Sequence, residues 1–550
     1  MKKIIIACLW CCISLFAGYA AQDTPLNITP APQEMTVKSG TFALTPQTSL
    51  VVGRTQRADL QKVAAYFQAK INRATGYDLA IKNSGNHNCI SLQIDRSLKL
   101  GDEGYRLSVT PKRVQVKART PQGLFYGMQS VMQLLPPQIE SEQPVDGIDW
   151  TMPCVEIGDE PAYGYRGMML DVCRHFHDVE FVKKQLDIMA MFKMNYFHWH
   201  LTDGAGWRIE IKKSPRLTSF AAWRPFEKLN DWWTGGRTFC DQDDPRAVGG
   251  YYTQDDIREV VAYAAERHIT VIPEIEMPGH TAAAITAYPE LGALDTIPSI
   301  PAYFNPFWGV FNVADPQVME FIHNVLYEVF DLFPGRYIHI GGDEVHPEAW
   351  ESNRDIARLM EEKHLANYSE VQMWFTNQIA RFIHDNGRTL IGWNDIMGKN
   401  IHEWAEADIE SSHTLDPHAV VQFWKGDPAL IAEALKQGHR VINSSHRDTY
   451  LDYNYTKLPL EKAYAFSPFP QGIDSQYRPL LLGSGCQMWS EWIPRIEDMQ
   501  RQVFPRIAAY AESGWSRADQ KDFGRFISAL DRLLYPRWAH KGIEWYPVVP

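Results

Sequence analysis

Residues 336–344 read RYIHIGGDE, and the architecture follows from how that run ends. Apolar positions (Tyr337, Ile338, Ile340) give way to two glycines and then to adjacent carboxylates, Asp343 and Glu344. This is the pattern of a buried parallel strand that stops at a reaction site. The strand sets direction, Gly341 and Gly342 let the backbone turn or approach a ligand, and the acids stand at the carboxyl end. Neighbouring acids suit a division of labour, one as general acid and the other as a charged or orienting group. By itself an Asp-Glu pair after a strand fits a solvated loop or a metal site equally well, so the rest of the chain decides.

Working outward, seven more runs have the same form, at 165–171, 194–201, 269–276, 389–395, 419–424, 440–445 and 481–489, with helical stretches such as 179–192, 253–267, 316–332 and 368–386 between them. Eight such alternations predict an α/β fold, a (β/α)8 TIM barrel over residues 161–516, with its site at the carboxyl ends of the strands. Upstream, residues 22–160 change rhythm. YRLSVT (105–110) and VQVKA (114–118) alternate at period two around a Pro-Lys-Arg turn, while 60–73 and 121–135 read as helices. This predicts a small α+β domain without evident chemistry of its own. Residues 517–550 read as a helix and tail packed on the barrel.

The first 21 residues, with MKK, an apolar run at 4–16 and small residues around Ala20 and Ala21, have the form of a secretory signal peptide. They predict an extracytoplasmic protein, periplasmic or secreted, with no transmembrane segment in the mature chain. Leu9 and Trp10 before Cys11 fit a lipoprotein cleavage box poorly. Of eight cysteines, Cys8, Cys11 and Cys12 leave with that segment. The scattered remainder form neither a disulfide framework nor a zinc ribbon. A net charge of −12 without a basic stripe argues against nucleic acid as a partner. The 18 Trp and 24 Tyr fit a carbohydrate partner better, since aromatic faces stack on sugar rings.

Four features converge at the strand ends. LDVCRHF places Asp171 and Arg174 at the end of the first strand, where a guanidinium can fork to hydroxyls or a carboxylate, or pair with Asp171. The second strand ends in His198-Trp-His200-Leu-Thr-Asp203 and the third in PEIEMPGH, which carries Glu276 and His280. Histidines two apart on a strand face the same way, so with His339 and His346 they could form a metal site of the amidohydrolase kind. Alternatively, they orient neighbouring acids. Trp393, Trp424 and Trp489 close three further strands, and Tyr450, Asp452 and Glu491 follow the last two. Three indoles at one mouth, with acids and an arginine around them, have the composition of a sugar pocket.

Taken together, RGMMLDVCRHF, MNYFHWHLTD, GWRIEIKKSP, PEIEMPGH, HIGGDE, GW at 392–393 and WSEW resemble glycoside hydrolase family 20, the β-N-acetylhexosaminidases. ITPAPQEM, GYRLSV and GLFYGMQSVMQLLP extend the likeness to that family's non-catalytic domain. The resemblance implies a retaining exo-hydrolase of terminal β-linked N-acetylglucosamine or N-acetylgalactosamine. It acts through the substrate's own acetamido oxygen, the known exception to the two-carboxylate scheme, with no metal or other cofactor. Glu344 matches the general acid and base, Asp343 the carboxylate that holds the acetamido N–H, and Tyr450 the hydroxyl on its carbonyl. Trp393, Trp424 and Trp489 match the pocket walls. Arg174, Asp452 and Glu491 match the groups on the distal hydroxyls, and Asp203 and His280 are supporting polar residues.

On physical grounds a glutamate among indoles stays protonated while a hydrogen-bonded aspartate stays charged. The chain departs from the family at Asn394-Asp395, where Asp-Glu is common. A disaccharide-releasing member of the family and a non-catalytic sugar binder are the further alternatives.

Overall fold

The computed structural model describes residues 26–53, 57–294, 309–399, 401–402 and 410–548. The predicted signal segment lies outside them. The eight expected strands close a parallel barrel. In chain order they are Tyr165–Asp171, Tyr196–His200, Thr270–Glu274, Tyr337–His339, Thr389–Trp393, Val420–Phe423, Arg440–Asn443 and Leu481–Met488. Several are shorter than their apolar runs predict, because pairing stops where the backbone must turn toward the site. The fourth ends at His339, and Gly341 and Gly342 then take φ of 65° and 83°.

Helices Val179–Met191, Gln254–Glu266, Pro316–Leu332 and Tyr368–Asp385 cover the barrel. The caps explain two of their starts. The Thr253 hydroxyl and Asp256 carboxylate form a capping box, and Asp315 accepts from the Gln317 N–H ahead of Pro316. Among the described residues no helix is long and apolar enough to cross a membrane.

Inside the barrel the period-two alternation stacks layers. Tyr165, Ile272, Tyr337, Ile391, Val420 and Ile442 form an apolar plug at the amino-terminal end. One inward position higher the lining turns polar, with His198, Glu274, His339, Gln422, Ser444 and Gln487 all buried. Above that layer is the mouth.

The amino-terminal domain is a seven-stranded mixed sheet. Its order is Glu34–Ala43, Thr151–Asp159, Tyr105–Thr110, Arg113–Ala118, Cys89–Ile94, Ser49–Val52, Ala80–Lys82. Helices Arg57–Thr75 and Pro121–Leu134 pack against it. It joins the barrel through buried ion pairs. Lys193 Nζ lies 3.1 Å from Asp159 Oδ2 and donates to Tyr105 Oη at 2.9 Å, while Trp515 Nε1 donates to both Asp159 oxygens. Arg166 forks onto Glu103 at 2.8 and 3.1 Å. The two ends of the described chain meet at this seam. Asn27 Nδ2 donates to Ser528 Oγ, the Ala31 N–H to Glu512 Oε2, and Ser516 Oγ back to the Ala31 carbonyl.

Candidate active site

The mouth is built around a buried carboxylate that sequence reading passed over as a role, Glu274. Its Oε2 lies 2.5 Å from His200 Nδ1 and 2.8 Å from His198 Nε2. Its Oε1 accepts from Trp393 Nε1 at 2.9 Å and faces His339 Nδ1 at 3.0 Å. Burial opposes the charge, but His339, His200 and His198 hold the carboxyl well below the usual range. Burial also opposes the His200 cation, yet Glu274 and Asp203 carry it up to about 10. The signal was available in PEIE, since an acid inside an apolar central strand has to be partnered and shares its facing with His198 and His200.

The ligand atoms of His198, Glu274 and His339 lie within 4.8 Å of one another, as do those of His200, Glu274 and Glu276. The chemistry of that donor set suits a hydrogen-bonded hub. Both Glu274 oxygens already receive protons, one from an indole that cannot ligate, and a cation there would have to displace them.

Trp393 is part of this hub and is 1% exposed. Three indoles in register at the mouth were expected, and the register corrects that. Trp393 pairs with Gln422, so Trp424 stands one inward position higher. Trp393 is a floor, with Met169, Tyr450 and Trp489 packed around it, while Trp424 stands at the rim stacked on Tyr450 at 6.3 Å and 11°. Trp489 is 6.1 Å from Trp393 and lies under the Arg174 guanidinium at 5.0 Å. Apolar faces therefore bound the space on the floor and two sides.

Arg174 pairs with Asp171, as one reading foresaw, and reaches two further carboxylates. Nη1 bonds Asp171 at 3.4 Å, and Nη2 is 2.8 Å from Asp203 and 3.5 Å from Glu491. Asp452 stands beside Glu491. Burial, with Glu491 adding to it, pushes the Asp452 carboxyl up to about 7, and burial likewise raises Glu491.

The same Asp203 Oδ2 is 3.5 Å from His280 Nδ1. His280 Nε2 is 3.5 Å from Glu344 Oε2 and 3.7 Å from Asp343 Oδ2. An imidazole thus sits between one acid and an adjacent pair. Burial opposes its proton, but Asp203 and Asp343 raise it well above the ordinary range. His280 and Glu344 both hold left-handed backbone, with φ of 53° and 48°. Such conformations cost of order 1–3 kcal/mol and persist where the surroundings fix them. The Asp395 carboxylate does so for Glu344 by accepting its N–H at 3.1 Å. Gly341 admits no side chain, because a Cβ there would lie 1.7 Å from Glu276 Oε2.

The expected protonation of the acid pair is reversed. Burial pushes the Asp343 carboxyl up to about 7 against the pull of His280, with Asp395, Glu344 and Glu274 adding repulsion. Glu344 feels burial too, but its contact with His280, reinforced by His402 and Lys425, holds it at about 2. His280 faces both acids, and His402 and Lys425 add their charge at Glu344.

The Asn394-Asp395 departure also finds its place. Asp395 Oδ2 accepts from Trp424 Nε1 at 2.8 Å and Oδ1 lies 2.6 Å from His402 Nε2. Asn394 is buried, accepts from the Trp424 and Lys425 N–H groups and donates to the Lys425 carbonyl at 3.0 Å. An ionised carboxylate could accept but not donate, so the amide lets Asn394 clamp the end of the sixth strand.

The site therefore unites Asp343, Glu344, Tyr450, Arg174, Asp203, His280, Trp393, Trp424, Asp452, Trp489 and Glu491 in one mouth. Two family models match the chain. Glycosyl hydrolase family 20, catalytic domain, matches residues 163–518, and glycosyl hydrolase family 20, domain 2, matches 25–160. A β-hexosaminidase of Porphyromonas gingivalis is 35% identical over 577 residues, spanning 100% of this chain and 69% of the relative. A GH20 exo β-N-acetylglucosaminidase from Vibrio harveyi, solved with N-acetylglucosamine, superposes with a TM-score of 0.82 at 29% identity, covering 95% of this chain and 78% of that one. A mutant Streptomyces plicatus β-hexosaminidase solved with its product gives 0.78 at 30%, covering 96% and 98%. The chain belongs to glycosyl hydrolase family 20, the family of the β-hexosaminidases it matches.

Proposed function

We propose that the protein is an exo-acting, retaining β-N-acetylhexosaminidase that removes terminal β-linked N-acetylglucosamine or N-acetylgalactosamine from glycans or chitooligosaccharides. The observation that carries this reading is the convergence of Asp343 and Glu344 on His280 above an indole floor, with Asp203 linking His280 to Arg174 and Glu491. The sugar held by the solved relatives supports the substrate class.

The terminal sugar rests on Trp393 and Trp489 with its distal hydroxyls on Arg174, Asp452 and Glu491. Asp343 accepts the acetamido N–H. Burial, opposed only slightly by Trp489, keeps Tyr450 protonated, so its hydroxyl can donate to the acetamido carbonyl. That carbonyl oxygen attacks the anomeric carbon and forms a C–O bond as the glycosidic C–O bond breaks. Glu344 gives its proton to the leaving oxygen. Glu344 then takes a proton from the water that opens the oxazolinium ring on the same face, which retains configuration.

In the free site the proton needed for the first step is stored on His280 and Asp343. A sugar filling the mouth removes water from Glu344 and sets an amide donor against Asp343. Both changes favour a carboxyl at 344 and a carboxylate at 343. Transfer across the 3.5 Å His280–Glu344 contact completes the exchange. The leader at 1–21 supports an extracytoplasmic location, which fractionation of the expressing cell tests.

Hydrolysis of p-nitrophenyl N-acetyl-β-glucosaminide beside the matching β-glucoside, each with and without EDTA, tests the mechanism. Cleavage of the acetamido sugar alone, indifferent to chelation, is expected. Equal cleavage of the glucoside would remove the acetamido group from the mechanism. Loss to EDTA with recovery on adding metal would instead favour a metal at the His198–Glu274–His339 cluster. Mass analysis of the product from a chitooligosaccharide distinguishes monosaccharide from disaccharide release.

A further inference from the structure

Just outside the pocket stands a second aromatic surface that no step above uses. Trp492 follows Glu491 directly, and with 65% of its surface exposed it is the most exposed large apolar side chain among the described residues. It is nevertheless ordered by stacking. Its ring lies 5.1 Å from that of Trp233 at an interplanar angle of 24°, and the Arg237 guanidinium sits over the Trp233 ring at 5.4 Å. Trp233 comes from the long excursion after the second barrel strand, on the short helix Leu229–Thr234.

That excursion is anchored to the site itself. Arg224 Nη2 donates to the Arg174 carbonyl at 2.7 Å, and the Arg224 guanidinium covers the Trp232 ring at 5.3 Å. Two separate segments, one behind Arg174 and one continuing from Glu491, thus each contribute an indole to one stack at the distal-hydroxyl edge of the pocket. A large exposed apolar face beside a pocket marks a surface kept for a ligand. A cation–π contact and a ring stack hold this one in place.

We propose that the Trp233–Trp492 stack is an accessory carbohydrate-binding platform that takes a pyranose ring of a branched glycan. This rests on the exo-hydrolase reading above. With Arg174, Asp452 and Glu491 closing on the terminal sugar's distal hydroxyls, no covalent continuation of the chain passes that way. The ring on the platform therefore belongs to another arm of the same glycan, one that leaves the pocket past Glu344 and folds back over Glu491. The exposed Trp492 indole offers a flat apolar face, which suits the C–H face of a neutral sugar.

The test compares two substrates on the wild type and on Trp492→Ala and Trp492→Phe. One is p-nitrophenyl N-acetyl-β-glucosaminide, and the other is a biantennary oligosaccharide ending in N-acetylglucosamine on both arms. The ratio of kcat/KM for the branched over the aryl substrate is expected to fall about tenfold in Trp492→Ala, through KM, and to recover most of that in Trp492→Phe. An unchanged ratio in Trp492→Ala, or an equal loss on both substrates, would overturn the platform. A wild type silent on the aryl substrate would overturn the hydrolase reading instead. In that event, quenching of tryptophan fluorescence by the branched glycan, lost in Trp492→Ala, still tests the platform, and quenching that persists in the variant would sink it.

Discussion

Two buried clusters of charge in this molecule use the same residue types to opposite ends. At the seam between the domains, Asp159 accepts from the Gln33 N–H, Tyr105, Trp515 and Lys193, so each of its oxygens is taken and its charge is matched. At the barrel mouth the carboxylates outnumber their partners. Asp343 Oδ1, Glu276 Oε2 and Asp452 Oδ1 are buried without a hydrogen bond among the described residues. Burial pushes all three carboxyls upward, Glu276 well above its usual range with Asp343 and Glu274 adding to the effect. A matched cluster stores stability. An unmatched one stores unfilled valence, which a substrate rich in hydroxyl and amide donors can satisfy. The contrast separates structural from functional ionisable groups on physical grounds alone.

The sharpest way to break the contrast is Glu344→Gln. Removing the transferable proton should lower kcat on chitooligosaccharides by about 10³-fold, within the usual range for a lost general acid, and less on a nitrophenyl glycoside whose leaving group needs little protonation. Equal losses on both would show that Glu344 is not the acid. At the seam, Lys193→Met strands the Asp159 charge and should cost about 3–5 kcal/mol in denaturant unfolding, with KM unchanged at a temperature where the variant is folded. An altered KM with normal stability would erase the division between the two clusters.

Asn394→Asp is intermediate. It sets an anion against the Lys425 carbonyl, so about 1–3 kcal/mol of stability should go, and Trp424 should loosen, raising KM several-fold in steady-state assays. The smallest expected effect concerns Asp343. Its pKa in the fold, about 7, exceeds the ordinary carboxyl value, so the native state binds the extra proton. The stability linked to it is full below about pH 4 and is lost as pH rises through 7. Asp343→Asn removes that loss and should raise Tm by about 2 °C at pH 8, with a smaller gain at pH 5, while turnover falls. Calorimetry at the two pH values checks the sign. A lower Tm at pH 8 would mean Asp343 is a matched charge after all.

The strands of the barrel were legible because each is an apolar run of the right length between a helix and a polar loop, and period two sent His198, His200, Trp393 and Gln422 inward together. The acid pair and its neighbours were legible for the same reason. Three things were not. The depth of Trp393 depends on the stagger between the fifth and sixth strands, which a single chain does not encode locally. PEIE signals that Glu274 needs a buried partner, but the assembly of the hub from three other strands does not show in the chain. The protonation of Asp343 and Glu344, which both face His280, depends on how His402 and Lys425 reach Glu344, and Glu344 sits in a left-handed turn. A residue of ordinary type gave no hint of this backbone state, whereas the glycines at 341 and 342 did.

The clasp of Asn27, Ala31, Glu512, Ser516 and Ser528 has a consequence for how the protein is made. Trp515 reaches its acceptor on Asp159 across 356 residues of chain. The last sheet strand of the amino-terminal domain, Thr151–Asp159, therefore leaves the ribosome long before the indole that donates to Asp159 exists. During that interval the nascent domain exposes the acid and the apolar rim meant for the barrel, the state in which chains of high contact order meet chaperones or aggregate. Late in synthesis both ends are captured at once, so the final stretch of translation closes the first domain and the last together.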